Sequence, residues 1–274
     1  MARGTSSVHG GGRMRFMRLF FTFFRIGVMG ELAYRMNFFV QLLESVLELG
    51  TAIASLAVIF SYTTTLGGWT QDQIFALVGI FFLMGGCIRL VIQPSLEQLI
   101  SSVRDGTLDF TLTKPEDAQL LSSIQRVDIW KLTDVALGVG ILVYALVRMG
   151  EHVGIREAAG FVAALLSGGV VVYSFWMILA ASAFWFVRVE NILMVFQSMY
   201  EAGRWPVSIY PGWLRFALTF LVPVAFAVTV PAQALAGTLH WPLLAGSWVF
   251  AAALFAAARL VWQRGIRRYE GASA

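Results

Sequence analysis

The stretch Gln73–Gln93 reads QIFALVGIFFLMGGCIRLVIQ, and Arg89 is its only charged residue. As a helix it is long enough to cross the roughly 30 Å hydrocarbon layer of a bilayer, and too apolar to be solvated by water. Similar runs recur on both sides of it, at about Asn37–Ser61, Leu132–Arg148, Ala158–Phe186 and Trp241–Trp262. The whole chain is 58% hydrophobic and 13% charged over 274 residues. A soluble domain carries about 25% charged residues. One globular core cannot absorb that surplus, so the sequence predicts an all-α membrane protein.

Lys and Arg sort by side. Arg3, Arg13, Arg15, Arg18, Arg25 and Arg35 precede the first run, and Arg104, Lys114, Arg126 and Lys131 lie in the polar stretch 94–131. Arg188 follows the fourth run, and Arg264, Arg267 and Arg268 follow the last. Between the first two runs, Tyr62–Asp72 carries no Lys or Arg, and Gly237–Pro242 carries no charge. Positive charge stays in the cytoplasm, which predicts cytoplasmic termini and an even number of crossings. Trp69, Trp130, Trp185, Trp241 and Trp262 fall at run ends, as an interfacial belt would. The count in the final third has two readings. Hydropathy alone makes Trp213–Leu235 the fifth span. Alternatively 189–210 crosses, and 211–237, interrupted by Pro223 and Pro231, is a re-entrant helical pair. Both give six crossings, and the second requires Glu201 and Arg204 to face other helices.

Upstream, Arg15, Arg18, Thr22 and Arg25 share one helical face while Phe16, Leu19, Phe20, Phe23 and Phe24 crowd the other. Residues 13–36 therefore read as an amphipathic helix in the cytoplasmic headgroup layer. The Gly- and Ser-rich residues 1–12 read as disordered, and the apolar stretch is too short for a signal peptide.

Inside the first run, Asn37, Gln41, Glu44, Glu48, Thr51 and Ser55 recur at helical spacing and form one polar stripe. Carboxylates facing lipid at that depth cost several kcal/mol, so the stripe should face protein or water. The second run brings Arg89 to a similar depth, and a pair of Arg89 with Glu44 or Glu48 is expected. The stripe reads either as a substrate path or proton relay, or as a packing or subunit-interface feature; packing is favoured. Gly85, Gly86, Gly168 and Gly169 read as close-packing sites.

Other chemistry is excluded. The single Cys87 and the dispersed His9, His152 and His240 offer no disulfide framework or metal set. A P-loop needs Gly-Lys-Ser/Thr, whereas Lys114 and Lys131 follow Thr113 and Trp130. The signature-like Leu166-Ser167-Gly168-Gly169 lies within an apolar run, beyond the reach of a nucleotide. The basic balance, distributed as topology requires, does not indicate nucleic acid. No catalytic set stands out, so any energy for transport comes from a separate ATPase or an ion gradient.

The polar stretch 94–131 is the most informative segment. It opens as an amphipathic helix with Leu96, Leu99, Ile100 and Val103, followed by Arg104-Asp105-Gly106-Thr107-Leu108-Asp109-Phe110-Thr111-Leu112-Thr113-Lys114-Pro115. Here the chain resembles the type-2 ABC exporter permeases, closest to a bacterial subgroup reading G-T-L-D-F-x-L-x-K/R-P after the second span. Tyr34–Phe38, Gly67–Thr70, Pro206–Tyr210, Pro223–Phe226 and Arg268–Ala274 extend the resemblance along the chain. It implies six spans (about 37–61, 73–93, 132–148, 158–186, 189–210 and 241–262), an interfacial helix, re-entrant outer helices at 211–237, and a cytoplasmic tail from 263. It further implies a coupling helix contacting the ATPase, for which Leu99, Val103, Arg104, Asp105, Gly106, Leu108, Asp109, Phe110, Lys114 and Pro115 are the candidate residues. The implied complex, in the bacterial inner membrane, holds two ATPase subunits, which bind the ATP and Mg, and a second, same or related permease. This chain itself would bind no cofactor and catalyse nothing. The runner-up is an ion-gradient transporter or channel using Glu44, Glu48 and Arg89.

Overall fold

In a computed structural model, residues 35–150, 154–186 and 190–269 are described. The disordered leader expected over 1–12 and the interfacial helix expected over 13–36 lie outside them, except that residues 35 and 36 begin the first long helix. The described chain is almost wholly helical, and five of its helices are long and apolar enough to cross a membrane.

Helix α1 (Arg35–Tyr62) leads into a two-residue hairpin, β1 (Thr65–Leu66) against β2 (Trp69–Thr70). Gly67 and Gly68 form its turn with φ of 57° and 86°. Two successive positive φ values define the turn that matches the twist of a two-residue hairpin, and glycine adopts them without a Cβ penalty. Thr70 then caps α2 (Gln71–Cys87). Its hydroxyl accepts from the Gln73 amide, and the Gln73 side chain accepts from the Thr70 amide at 3.0 Å.

The sequence suggested that this span ends at Gln93 and that a separate helix follows. Instead the helix runs unbroken from Gln71 to Arg104. Ile88–Ile92 forms a wider π-helical turn, and α3 (Gln93–Arg104) continues from it despite Pro94. Proline has no N–H for the carbonyl four residues back. That carbonyl, on Leu90, accepts from the Asp128 amide at 2.8 Å, so the returning loop repairs the defect. Ser95 adds a second tie, donating to the Arg126 carbonyl at 2.7 Å.

Short helices α4 (Asp109–Leu112) and α5 (Ala118–Ser122) follow, then a tight turn at Ile129–Lys131 and α6 (Leu132–Met149). Next come α7 (Ile155–Ala181), α8 (Glu190–Tyr200), α9 (Gly212–Phe216), α10 (Val230–Leu235) and α11 (Trp241–Arg268). Wider turns extend α9 to Leu221 and begin the second half at Ala225, and the halves Gly212–Leu221 and Ala225–Leu235 meet at 82° around Val222 and Pro223.

Contacts fix the level of these pieces. Arg148 lies 3.5 Å from Asp72, so the end of α6 meets the hairpin end of α2. Gln93 donates to Gln197 at 3.3 Å, Tyr200 donates to the Phe81 carbonyl at 3.1 Å, and Ser208 donates to the Gly67 carbonyl at 3.3 Å. The segment from α8 to Ser208 thus tracks α2 from its α3 end to the hairpin. The bent pair leaves from there, reaches the Gly168 level of α7 with the Phe226 carbonyl, and returns beside Gly160 and Trp241.

Helices α2 and α6 approach backbone to backbone. A Cβ on Gly138 would meet the Leu83 amide at 2.4 Å, and one on Gly79 would meet the Leu142 amide at 2.8 Å. Gly86 and Gly168 are close-packed in the same sense, whereas Gly169 faces open space. Helix α11 packs on α7 around the buried Ser167–Ser247 hydroxyl pair at 3.0 Å. Not every expected belt tryptophan lies at a surface. Trp69 and Trp262 turn into the core, Trp262 at the edge of the Phe184 ring, while Trp185 and Trp241 stay exposed.

Candidate functional site: a charged groove and an exposed loop

The polar stripe of α1 divides. Thr51 donates to the Glu48 carbonyl at 2.8 Å and Ser55 to the Thr51 carbonyl at 2.7 Å, so both hydroxyls are satisfied by their own helix. Gln41 is partly buried. Glu48 turns toward the neighbouring helices. Arg89, carried in the wide turn below α2, reaches it at 3.9 Å and Asp134 at 3.2 Å. Arg204 lies 2.9 Å from both Glu48 and Glu201. Asp134, in the first turn of α6, is 2% exposed and also accepts the Ser45 hydroxyl. Its charge faces the positive end of the α6 dipole.

The result is a connected chain, Asp134–Arg89–Glu48–Arg204–Glu201, joining α1, α2, α6 and the segment after α8. Arg204 also stacks over the Phe81 ring, 5.5 Å from its centroid. Of the two glutamates expected near Arg89, Glu48 is in this chain. Glu44 makes no ion pair among the described residues and lines a groove of about 840 Å³ with Val40, Leu43, Leu47, Glu48, Thr51, Arg89, Glu201 and Arg204.

Sequence reasoning missed Asp134 as a member. It stands at the border of the polar stretch and the third apolar run, where an acid reads as a loop residue. Glu201 and Arg204 were an obstacle to placing a crossing at 189–210 unless they faced other helices. They do so by pairing with each other and with Glu48.

The loop residues also divide. Leu99 and Leu108 are fully buried and Val103 is half-buried against the core, so they hold the loop to the bundle. Arg104, Asp105, Phe110, Lys114 and Pro115 are exposed, with Phe110 75% exposed. Gly106 makes the reversal between them with φ of 70°. Asp109 opens α4 beneath Phe110. The loop is also clamped from α11. Asp117 caps α5, accepting from the Gln119 and Leu120 amides, and takes both Arg259 guanidinium nitrogens at 3.1 and 2.6 Å. The Arg259 hydrogen bond holds the Asp117 carboxyl below its ordinary value, against some loss of hydration.

Apolar helices of spanning length, packed through glycines around an internal ion-pair chain, define a multi-pass membrane protein. The family model described as ABC-2 family transporter protein matches residues 46–273, and the chain belongs to that family. No match was found among curated proteins or among solved structures.

Proposed function

We propose that the chain is the permease subunit of an ATP-driven exporter in the bacterial cytoplasmic membrane, with both termini cytoplasmic. The observation that carries this reading is the family match over residues 46–273, on a chain whose polar loop is built as an inner apolar half and an exposed outer half. The membrane is crossed six times. The fifth crossing is the segment from Glu190 to about Ile209, supported by its contacts from Gln93 to Gly67. The bent pair is re-entrant, supported by the return of both its ends to the hairpin side of the bundle.

In this reading the chain binds no nucleotide. Two ATPase subunits hold ATP and Mg and press on Arg104, Asp105, Asp109, Phe110 and Lys114. Leu99, Val103 and Leu108 pass the push into α3, and so along one continuous helix to the turn that carries Arg89. Two permeases, identical or related, then rock to open the groove beside α1 as the substrate path. The test is co-purification with an ABC ATPase, followed by ATP hydrolysis and export from reconstituted vesicles. Charge reversal at Arg104, Asp105 and Asp109 together should leave the chain folded and abolish ATP-dependent export. Export that persists without an ATPase and follows a proton or sodium gradient would favour the gradient-driven alternative, for which the internal ion-pair chain is the supporting observation.

A further inference from the structure

We infer that the groove beside α1 receives the positively charged head of an amphipathic cation, with the Glu44 carboxylate as its counter-charge. The inference rests on reading the groove as the substrate path, and names the class of molecule that fits it. The volume of about 840 Å³ suits a drug-sized molecule. Val40, Leu43 and Leu47 give it an apolar wall, and all three are exposed there.

Charge decides the sign of the occupant. The groove and the aspartate behind it hold the carboxylates Glu44, Glu48, Glu201 and Asp134 against the guanidiniums Arg89 and Arg204. Both guanidiniums are engaged, Arg89 by Asp134 and Glu48, and Arg204 by Glu48 and Glu201. An anion would therefore meet an excess of negative charge and, among the described residues lining the groove, no guanidinium without a carboxylate within 4 Å. Glu44 is exposed, with no hydrogen bond or ion pair among the described residues, about 13 Å along α1 from Arg35. A neutral apolar occupant would strand that carboxylate in hydrocarbon. An amphipathic cation satisfies both surfaces at once, its apolar body on Val40, Leu43 and Leu47 and its charge on Glu44. One basic side chain from a second permease would fill only a small part of the space.

The test uses two ions of the same shape and opposite sign, tetraphenylphosphonium and tetraphenylborate. The full chain is placed in phosphatidylcholine nanodiscs, and binding is measured by equilibrium dialysis against empty discs. The expected result is one saturable site for tetraphenylphosphonium, with tetraphenylborate only partitioning into lipid as it does in empty discs. Glu44→Gln should weaken the phosphonium at least tenfold, and Glu44→Asp should retain most of the affinity. Equal binding of the two ions, no saturable phosphonium site, or unchanged affinity in Glu44→Gln would overturn the inference. So would a Glu44→Gln chain that turns from dimer to monomer while phosphonium never saturates, since a second copy would then be the occupant. No ATPase enters this measurement, so its failure is distinct from failure of the ATPase to co-purify.

Discussion

Gly168→Ala and Gly169→Ala change neighbouring residues of one helix by the same methyl group, and the structure gives them opposite outcomes. A Cβ at position 168 falls 2.4 Å from the Phe226 carbonyl oxygen and 3.0 Å from the Ala227 Cα, both backbone atoms of the bent pair. Backbone cannot swing aside as a flexible side chain can, so the pair must withdraw by about 1 Å. A gap of that size forfeits a quarter to a half of each dispersion contact along the seam. Overpacking of this kind costs about 1–3 kcal/mol, against which alanine regains about 0.5–1 kcal/mol over glycine in a helix. The expected net loss is about 1–2 kcal/mol. At position 169 nothing lies within 4 Å, so only the helix term remains and the variant should be neutral or slightly more stable. Reversible unfolding in mixed micelles, followed by circular dichroism, measures the difference, expected at about 2 kcal/mol. The same contrast should appear between Gly138→Ala, which meets Leu83 backbone, and Gly140→Ala, which meets nothing. If the two members of each pair unfold alike, the backbone-contact account of these helix crossings is wrong.

Asp134→Asn should destabilise by about 1–3 kcal/mol, because it removes the nearer carboxylate from Arg89 and leaves only Glu48 at 3.9 Å; Arg89→Met on that background should recover part of the loss, read by the same unfolding assay. Asp117→Ala should cost about 1 kcal/mol by removing the α5 cap, and Asp117→Asn less, since asparagine still caps. The Asp117 carboxyl sits lower in the folded chain than in the unfolded one, so its contribution is complete at neutral pH and fades only as pH falls below about 4. With both partners more than a third exposed, that contribution stays below about 1 kcal/mol, measurable as a loss of the wild-type advantage over Asp117→Asn in acid. In a Cys87→Ala background, Ser208→Cys should react with an impermeant maleimide from outside intact cells and Met194→Cys only after permeabilisation. Labelling of both cysteines from the same side would remove the fifth crossing from Glu190–Ile209, and the reverse pattern would invert the proposed orientation.

Apolar run length was enough to locate the long helices, because a bilayer imposes it on composition. What it missed was set by partners distant in sequence. Pro94 reads as a helix stop, yet the helix continues because Asp128 supplies the N–H that Pro94 lacks. Trp262 reads as an interfacial anchor, yet Phe184 and its neighbours enclose it. In the site, Glu48 and Arg89 could be matched by depth along two adjacent runs. Asp134 could not, since its burial follows from the close approach of α6 to α2 through Gly79, Gly86 and Gly138. The bent pair left two readings open because hydropathy weighs its apolar residues without sensing the break at Val222–Pro223.

That break bears on how the protein is made. Each half of Gly212–Leu221 and Ala225–Leu235 is far shorter than the roughly 20 residues that a translocon hands to lipid as a finished span. The pair packs on the Gly168 surface of α7 and, through Phe226 stacked on Phe250, against α11. On the re-entrant reading proposed above, a nascent chain cut short before α11 should therefore be a substrate for membrane proteases.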